Sequence, residues 1–169
     1  MSAYAMDKLD VALAALILNE PRAGVREYAR RLGIARGTAQ NRLDKMHEAG
    51  IIANFGPVLD AASMGFPLSA DMHVTLVQRS LNEVVGELEK IPFILRADSL
   101  AGAEDVSCRV AARDHAHLET ITSLILSIPG VERIRTDIVL RRRIPFRMQP
   151  LLDHLGNNHE QSASNRRGG

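Results

Sequence analysis

Cysteine, tryptophan and long apolar runs are scarce or missing in this 169-residue chain, and each shortage removes a class of protein. The single cysteine, Cys108, excludes an internal disulfide framework and any zinc site built from several thiolates. With no Trp, two Tyr and four Phe there are too few flat side chains for a binder that stacks the bases of single strands. Crossing a bilayer takes a run of about 18–20 apolar residues. The longest run, Val11–Leu18, has eight, so no membrane partner is expected. Asp7, Lys8 and Asp10 stand where a secretory leader would carry a basic stretch and then a cleavable apolar segment, and a cytoplasmic chain is the expectation. What remains is an ordinary globular balance, 46% apolar and 24% charged, at a length suited to one domain or two small ones.

The net charge of +1 hides an uneven distribution. Residues 1–55 carry eight Lys/Arg against six Asp/Glu, residues 56–132 five against eleven, and residues 133–169 eight against three. Within the first block, residues 22–45 hold seven basic and two acidic side chains. Such a patch attracts phosphates, and charge alone fits a solvated helix face equally well.

Periodicity divides the chain in two. Leu9, Leu13, Leu16 and Ile17 form one stripe of a first helix, broken at Pro21. Val25, Tyr28, Ala29 and Leu32 stripe a second helix, with Gly24 as its N-cap and Gly33 suited to the left-handed residue that ends it. Ala39, Leu43 and Met46 define a third, stopped by Gly50. A supporting helix followed by two short helices around a tight glycine-containing turn is the helix-turn-helix arrangement, here expected in winged form. An extended segment from Ile51 through Asp60 and a linker from Ala61 to Pro67 follow.

From Leu68 the period becomes two. Leu68, Ala70, Met72, Val74 and Leu76 alternate with polar neighbours as a strand, and Ser80 opens a helix striped by Leu81, Val84, Val85 and Leu88. Phe93–Leu100 and Val106–Ala112 read as strands around the turn Gly102–Asp105. Asp114 caps a helix with Leu118, Ile121, Ile125 and Ile128 inward, and Val131–Arg141 is the last strand. The order βαββαβ predicts a ferredoxin-like antiparallel sheet with both helices on one face, giving an α+β chain. The other sheet face, rich in Ser, Thr, His, Asp and Arg, meets water or a second sheet. Fifty residues of helices bury little and a bare sheet face invites cover, so a homodimer through the sheet is expected.

With Ala39, Leu43 and Met46 inward, the outer side of the third helix is Gly37, Thr38, Gln40, Asn41, Asp44 and Lys45, led by Arg36. In a helix-turn-helix this helix enters the major groove of double-stranded DNA. Gln and Asn pair with adenine, Arg with guanine, and Thr touches a thymine methyl. Gly37 lets the backbone approach closely. Arg22, Arg26, Arg30 and Lys45 suit phosphate contacts, which position without specifying. Arg42 borders the core stripe and fits either a DNA contact or a structural ion pair. Cys108 alternates with Val106 and Val110 as a small core hydrophobe, and His73, His115 and His117 lack the spacing of a metal site. Arg141-Arg142-Arg143 fits a DNA contact or a solubilising edge guard.

Five motifs in order then carry a family resemblance: Met6-Asp7-Lys8-Leu9-Asp10, the ungapped run from Pro21 to Ile52, the hairpin from Ala101 to Asp114, and the Pro-Gly-Val and Thr-x-Ile-Val-Leu elements between Ile128 and Leu140. Together they resemble the Lrp/AsnC, or leucine-responsive, transcriptional regulators from Met6 to about Leu151. Gly24 and Ala35 depart from the resembled pattern, which usually has Ser there. Ala35 thereby loses a helix cap and one expected phosphate contact.

The resemblance implies a helix-turn-helix domain over 6–55, a linker strand and loop over 56–67 and an effector-binding, oligomerising domain over 68–143. A C-terminal extension over 144–155 and a structureless tail over 156–169 follow. It also implies a sequence-specific regulator, not an enzyme, with no cofactor, working as a homodimer or higher homo-oligomer under control of an amino acid or related metabolite. The effector corner is placed at Gly102–Asp105, where the Asp105 carboxylate suits an ammonium and backbone N–H groups near Gly102 or the Thr136 hydroxyl suit a carboxylate. A plain β-turn reads equally well there. Two rival readings stand beside this one: a subunit resembling siroheme decarboxylase, with His73 or His115 serving a tetrapyrrole, and an architectural protein that wraps DNA without any effector.

Overall fold

Asp7 starts the first helix. Its carboxylate accepts from the backbone N–H of Leu9 and Asp10, and the Asp10 carboxylate accepts in turn from the N–H of Asp7, closing a capping box. The computed structural model describes residues 4–53, 56–77 and 80–165, with side chains through His159. From that cap, α1 spans Lys8–Asn19, followed by α2 at Gly24–Leu32 and α3 at Arg36–Glu48. The turn between α2 and α3 needs Gly33 at φ +64°, a left-handed conformation that costs other residues a strained Cβ. Leu13, Tyr28, Leu43 and Met46 close a small core at the centre of the three helices. The Tyr28 hydroxyl donates to the Glu20 carbonyl at 2.8 Å and so ties α2 to the end of α1.

Four strands make the second unit: β1 at Leu68–Leu76, β2 at Ile94–Ser99, β3 at Val106–Ala112 and β4 at Val131–Ile138. They form one antiparallel sheet in the order β2-β3-β1-β4, with α4 (Leu81–Leu88) and α5 (His115–Leu126) as its crossovers. Met72 stands opposite Cys108 on one side and Thr136 on the other, so these three share the helix-covered face. Ala70, Met72, Val74, Val106, Cys108 and Val110 pack there against Val84 and Leu88 of α4 and Leu118, Ile121 and Ile125 of α5. At about 1.5–3 kcal/mol for each large aliphatic side chain removed from water, this core outweighs the other apolar clusters of the chain. Gly130 is required by close approach: at φ +97°, any Cβ would lie 2.7 Å from that of Ser80.

The outer sheet face is polar and laced with ion pairs. Arg109 forks onto Asp71, His73 lies 3.4 Å from Asp137, and Arg135 lies 3.4 Å from Glu104. His73 Nδ1 and Thr75 Oγ1 are buried there with no partner among the described residues.

The architecture is the α+β one read from the sequence, with four differences at the joints, the first being that Ala23 and not Gly24 is the N-cap of α2, whose first helical residue is Gly24. No strand, and hence no wing, follows α3 among the described residues before β1. Residues 51–52 instead bend back, the N–H groups of Ile51 and Ile52 donating to the Met46 carbonyl, and residues 56–60 belong to no helix or strand. β4 ends at Ile138 rather than Arg141, and Ser80 does not cap α4 through its side chain but donates its hydroxyl to the Val77 carbonyl.

The largest correction concerns the C-terminal tail. Residues 149–165 form a helix, α6 (Gln149–Asn165), where the sequence predicts a structureless segment from 156 onward. Its Leu152 and Leu155 pack on Val11 and Ala14 of α1 and on Met6 just ahead of it, an apolar strip that supplies the burial the polar tail could not find alone. Residues 166–169 of that expected tail, and 54–55 at the expected domain boundary, lie outside the described residues. The chain accordingly divides into two compact units: residues 1–57 with 145–169, and residues 58–144.

Candidate nucleic-acid interface

The core stripe of α3 fixes its outward face. Ala39, Leu43 and Met46 are buried at the 100° spacing read from the sequence, so Arg36, Gly37, Thr38, Gln40, Asn41, Asp44 and Lys45 are all exposed. The helix begins without a side-chain cap, since Ala35 has nothing to offer the first N–H groups. Gly37 is open, a Cβ there meeting nothing within 4 Å. Gln40 donates to the Asp44 carboxylate at 2.8 Å, one turn along the same face. Beside α3, a cleft of about 590 Å³ is bounded by Gly37, Thr38, Asn41 and Lys45 on one side and by Tyr4, Ala5 and Asp7 on the other.

The cations of this unit fall into two groups. Arg30 is forked onto Glu27 at 2.8 and 2.6 Å, and Arg31 bridges Glu27 and Glu20. Their guanidinium bonds, Arg30 first, hold the Glu27 carboxyl down to about 2 from an ordinary 4.5. Arg42 is likewise engaged, its Nη1 donating at 2.7 Å to both Asp7 and Asp10. Burial pushes the Asp7 carboxyl up, but the Asp10 N–H and the Arg42 guanidinium outweigh it and leave the group below its ordinary value. Of the two roles open to Arg42 in the sequence, the structural ion pair is the one observed. By contrast, Arg22, Arg26, Arg36 and Lys45 have no ion pair among the described residues. The i,i+3 spacing of Glu27 and Arg30 makes their pairing discoverable from the sequence; the partners of Arg42, 35 and 32 residues away, offer no such signal.

In the second unit, the expected effector corner is only partly assembled. The Asp105 backbone bonds to Leu100 and Val74, and its Oδ2 accepts from the Leu76 N–H at 2.8 Å. The carboxylate therefore pins the β2–β3 connection to the end of β1, with Oδ1 left unbonded among the described residues. Gly102 is exposed in the same loop. Thr136 is not gathered with them, because its register opposite Met72 puts it on the helix-covered face of β4.

Three helices presenting an exposed, partly cationic third helix, joined to a βαββαβ sheet unit, define a helix-turn-helix regulator with a separate sheet domain. The profile of the AsnC-type helix-turn-helix domain matches residues 6–47, and that of the Lrp/AsnC ligand binding domain matches residues 69–148. The chain belongs to the Lrp/AsnC family of transcriptional regulators. Among its relatives, the HTH-type transcriptional regulator FL11 of Pyrococcus horikoshii is 29% identical over 80% of this chain and 90% of its own length. The HTH-type transcriptional regulator Ptr1 of Methanocaldococcus jannaschii is 25% identical over 80% and 93%. The fold is similar to that of AsnC from E. coli, with a TM-score of 0.80 and 22% identity over 87% of this chain and all of that one. A transcriptional regulator of Neisseria meningitidis solved as a complex with L-Met has a TM-score of 0.77 at 20% identity, over 87% and 99%. Both domain profiles end before α6 begins.

Proposed function

We propose that the chain binds double-stranded DNA in a sequence-specific way through the exposed side of α3, as a homo-oligomer tuned by an amino acid or related metabolite bound to its sheet unit. Thr38, Gln40 and Asn41 read base edges, Gly37 lets the helix seat deeply, and Arg22, Arg26, Arg36 and Lys45 hold phosphates. Arg30, already matched by Glu27, adds less. The observation that carries this reading is the segregation on one unit: exposed amide and hydroxyl side chains on α3, flanked by cations that no carboxylate among the described residues neutralises.

For the effector, the Oδ1 of Asp105, unbonded among the described residues, and the exposed loop at Gly102 offer an acceptor for an ammonium group. The Neisseria neighbour, solved with L-Met bound, supports an amino acid as the chemical class. The oligomer is supported by the outer sheet face, which neither α4 nor α5 covers, both packing on the opposite face with Met72 and Cys108.

The test separates reading from positioning. Asn41→Ala is expected to weaken a selected site by about 1–3 kcal/mol while leaving random DNA unchanged. Arg26→Ala or Lys45→Ala is expected to weaken all sequences alike and to reduce the salt slope by about one. An Asn41→Ala protein that keeps the wild-type sequence preference would remove α3 from base reading.

A further inference from the structure

Arg42 lies between the two faces of α3, one residue past Asn41 and one turn past Thr38, with its side chain 26% exposed. Its Nη1 is shared by two carboxylates at the start of α1, Asp7 Oδ2 and Asp10 Oδ1, each at 2.7 Å. Asp10 is only 2% exposed and is otherwise saturated: its Oδ2 accepts from the Asp7 N–H at 3.0 Å and from the Tyr4 hydroxyl at 3.1 Å. Asp7 is held as firmly, its Oδ1 accepting from the N–H groups of Leu9 and Asp10 at 2.9 Å. The carboxylates are therefore fixed by the capping box of α1, and the guanidinium is fixed by the carboxylates.

A phosphate approaching Arg42 meets two formal negative charges already within hydrogen-bond distance of it, so Arg42 is a poor phosphate ligand. Its bonds nevertheless tie α3 to the start of α1. The apolar contacts of α3 run through Ala39, Leu43 and Met46, and a three-residue stripe headed by an alanine tolerates rotation about the helix axis better than a directional ion pair does. The uncapped N-terminal turn at Ala35, where the reading residues sit, adds no polar anchor of its own.

We infer that Asp10 and Asp7 of α1 grip Arg42 to set the rotation of α3, making Arg42 a positioning residue for sequence reading by Thr38 and Asn41 and not a DNA contact. This rests on the DNA-reading role proposed above.

The experiment selects a preferred site from random DNA with the full wild-type chain. The affinity ratio of that site to random DNA of the same length, and the salt slope, are then measured for wild type, Asp10→Asn, Asp7→Asn and Arg42→Gln. All measurements are made at a temperature where circular dichroism shows each variant folded. Asp10→Asn keeps shape and leaves Arg42 charged; the ratio is expected to fall about tenfold, with random binding no weaker and the slope unchanged. Arg42→Gln is expected to lose the ratio to a similar extent, and combining the two substitutions to cost little more than either alone. Asp7→Asn alters the exposed member of the grip and keeps the measurement available should Asp10→Asn fail to fold; a fall of about threefold is expected.

A merely structural ion pair would lower the melting temperature and leave the ratio of the folded protein untouched, which would overturn the inference. So would an Arg42→Gln protein weakened equally on both DNAs with a slope shallower by about one, the signature of a phosphate contact. A wild-type chain that selects no site at all would defeat the DNA-reading role itself and this inference with it. A site that survives with unchanged ratios in the Asp10→Asn and Asp7→Asn proteins would defeat the grip alone.

Discussion

Cys108 sits at the middle of β3 with no exposed surface, and the company it keeps decides its chemistry. Burial pushes its thiol up to about 11, and the nearby Asp98 carboxylate adds to the shift. Only the thiolate reacts with disulfide reagents, and at neutral pH that form is vanishingly rare here. Native protein at pH 7.5 is therefore expected to label with an aromatic disulfide at least about a hundredfold more slowly than the same chain in denaturant. Labelling at the denatured rate would show that the sheet opens at β3. The same dependence on neighbours sorts the arginines: Arg22, Arg26 and Arg36 look alike to Arg30 and Arg42 in composition, yet of these five only Arg30 and Arg42 have carboxylates within reach among the described residues.

At the scale of elements, α2 is stitched from outside. Glu27 accepts from Arg30 and Arg31, and Arg31 also reaches Glu20 ahead of the helix. Because the folded carboxyl is depressed, to about 2 from an ordinary 4.5, its contribution to stability is complete above the unfolded value and is lost as pH falls through the folded one. Carbon-13 detection of the Glu27 carboxyl is expected to show a midpoint well below 4.5 and approaching 2; a midpoint at 4.5 would mean the arginine forks are open in solution.

What the sequence reveals of these elements follows from the range of the interactions that make them. The α3 stripe of Ala39, Leu43 and Met46 and the alternation in β1 are periodic signals, set by local geometry, and both are found in the structure as read. The grip of α1 on Arg42 joins positions more than thirty residues apart, and no spacing rule reaches that far. Thr136 suits an effector by its chemistry alone; the register that places it opposite Met72 on the covered face is not written in its own strand. The helix α6 is hidden because its sequence holds several Asn and Ser and a central Gly156, poor helix formers whose compensation is a strip on α1 at the other end of the chain.

On the scale of the whole molecule, the two ends of the chain build one unit. Residues 145–169 join residues 1–57, while 58–144 form the other unit, so the helical unit is covalently tied to the sheet unit at both of the latter's ends. In that arrangement α6 is the fourth helix of the first unit, lying beyond the ligand-binding domain profile, which ends at residue 148. Leu152 is 8% exposed against Val11 and Ala14, each also 8% exposed, and Gly156 comes close enough that a Cβ would touch Val11 at 3.7 Å. Removing everything after Ile144 would return this strip of α1 to water. The cost is on the order of 2–3 kcal/mol, about what burial of one large aliphatic side chain and its partners contributes. For a helical unit of this size each kcal/mol lowers the melting temperature by about 4–8 °C. Hydrogen exchange then distinguishes the two units, since it reads the protection of each amide separately. Amides of α1, α2 and α3 are expected to lose protection in the truncated chain and in the milder Leu152→Ala protein, while β1, β3 and α5 keep theirs. Because Asp7 caps α1 and Asp10 lies in its first turn, the same loosening is expected to reach Arg42 and lower the preference for the selected site. Unchanged protection of α1 in both proteins would show that α6 only rests on the DNA-binding unit and does not hold it.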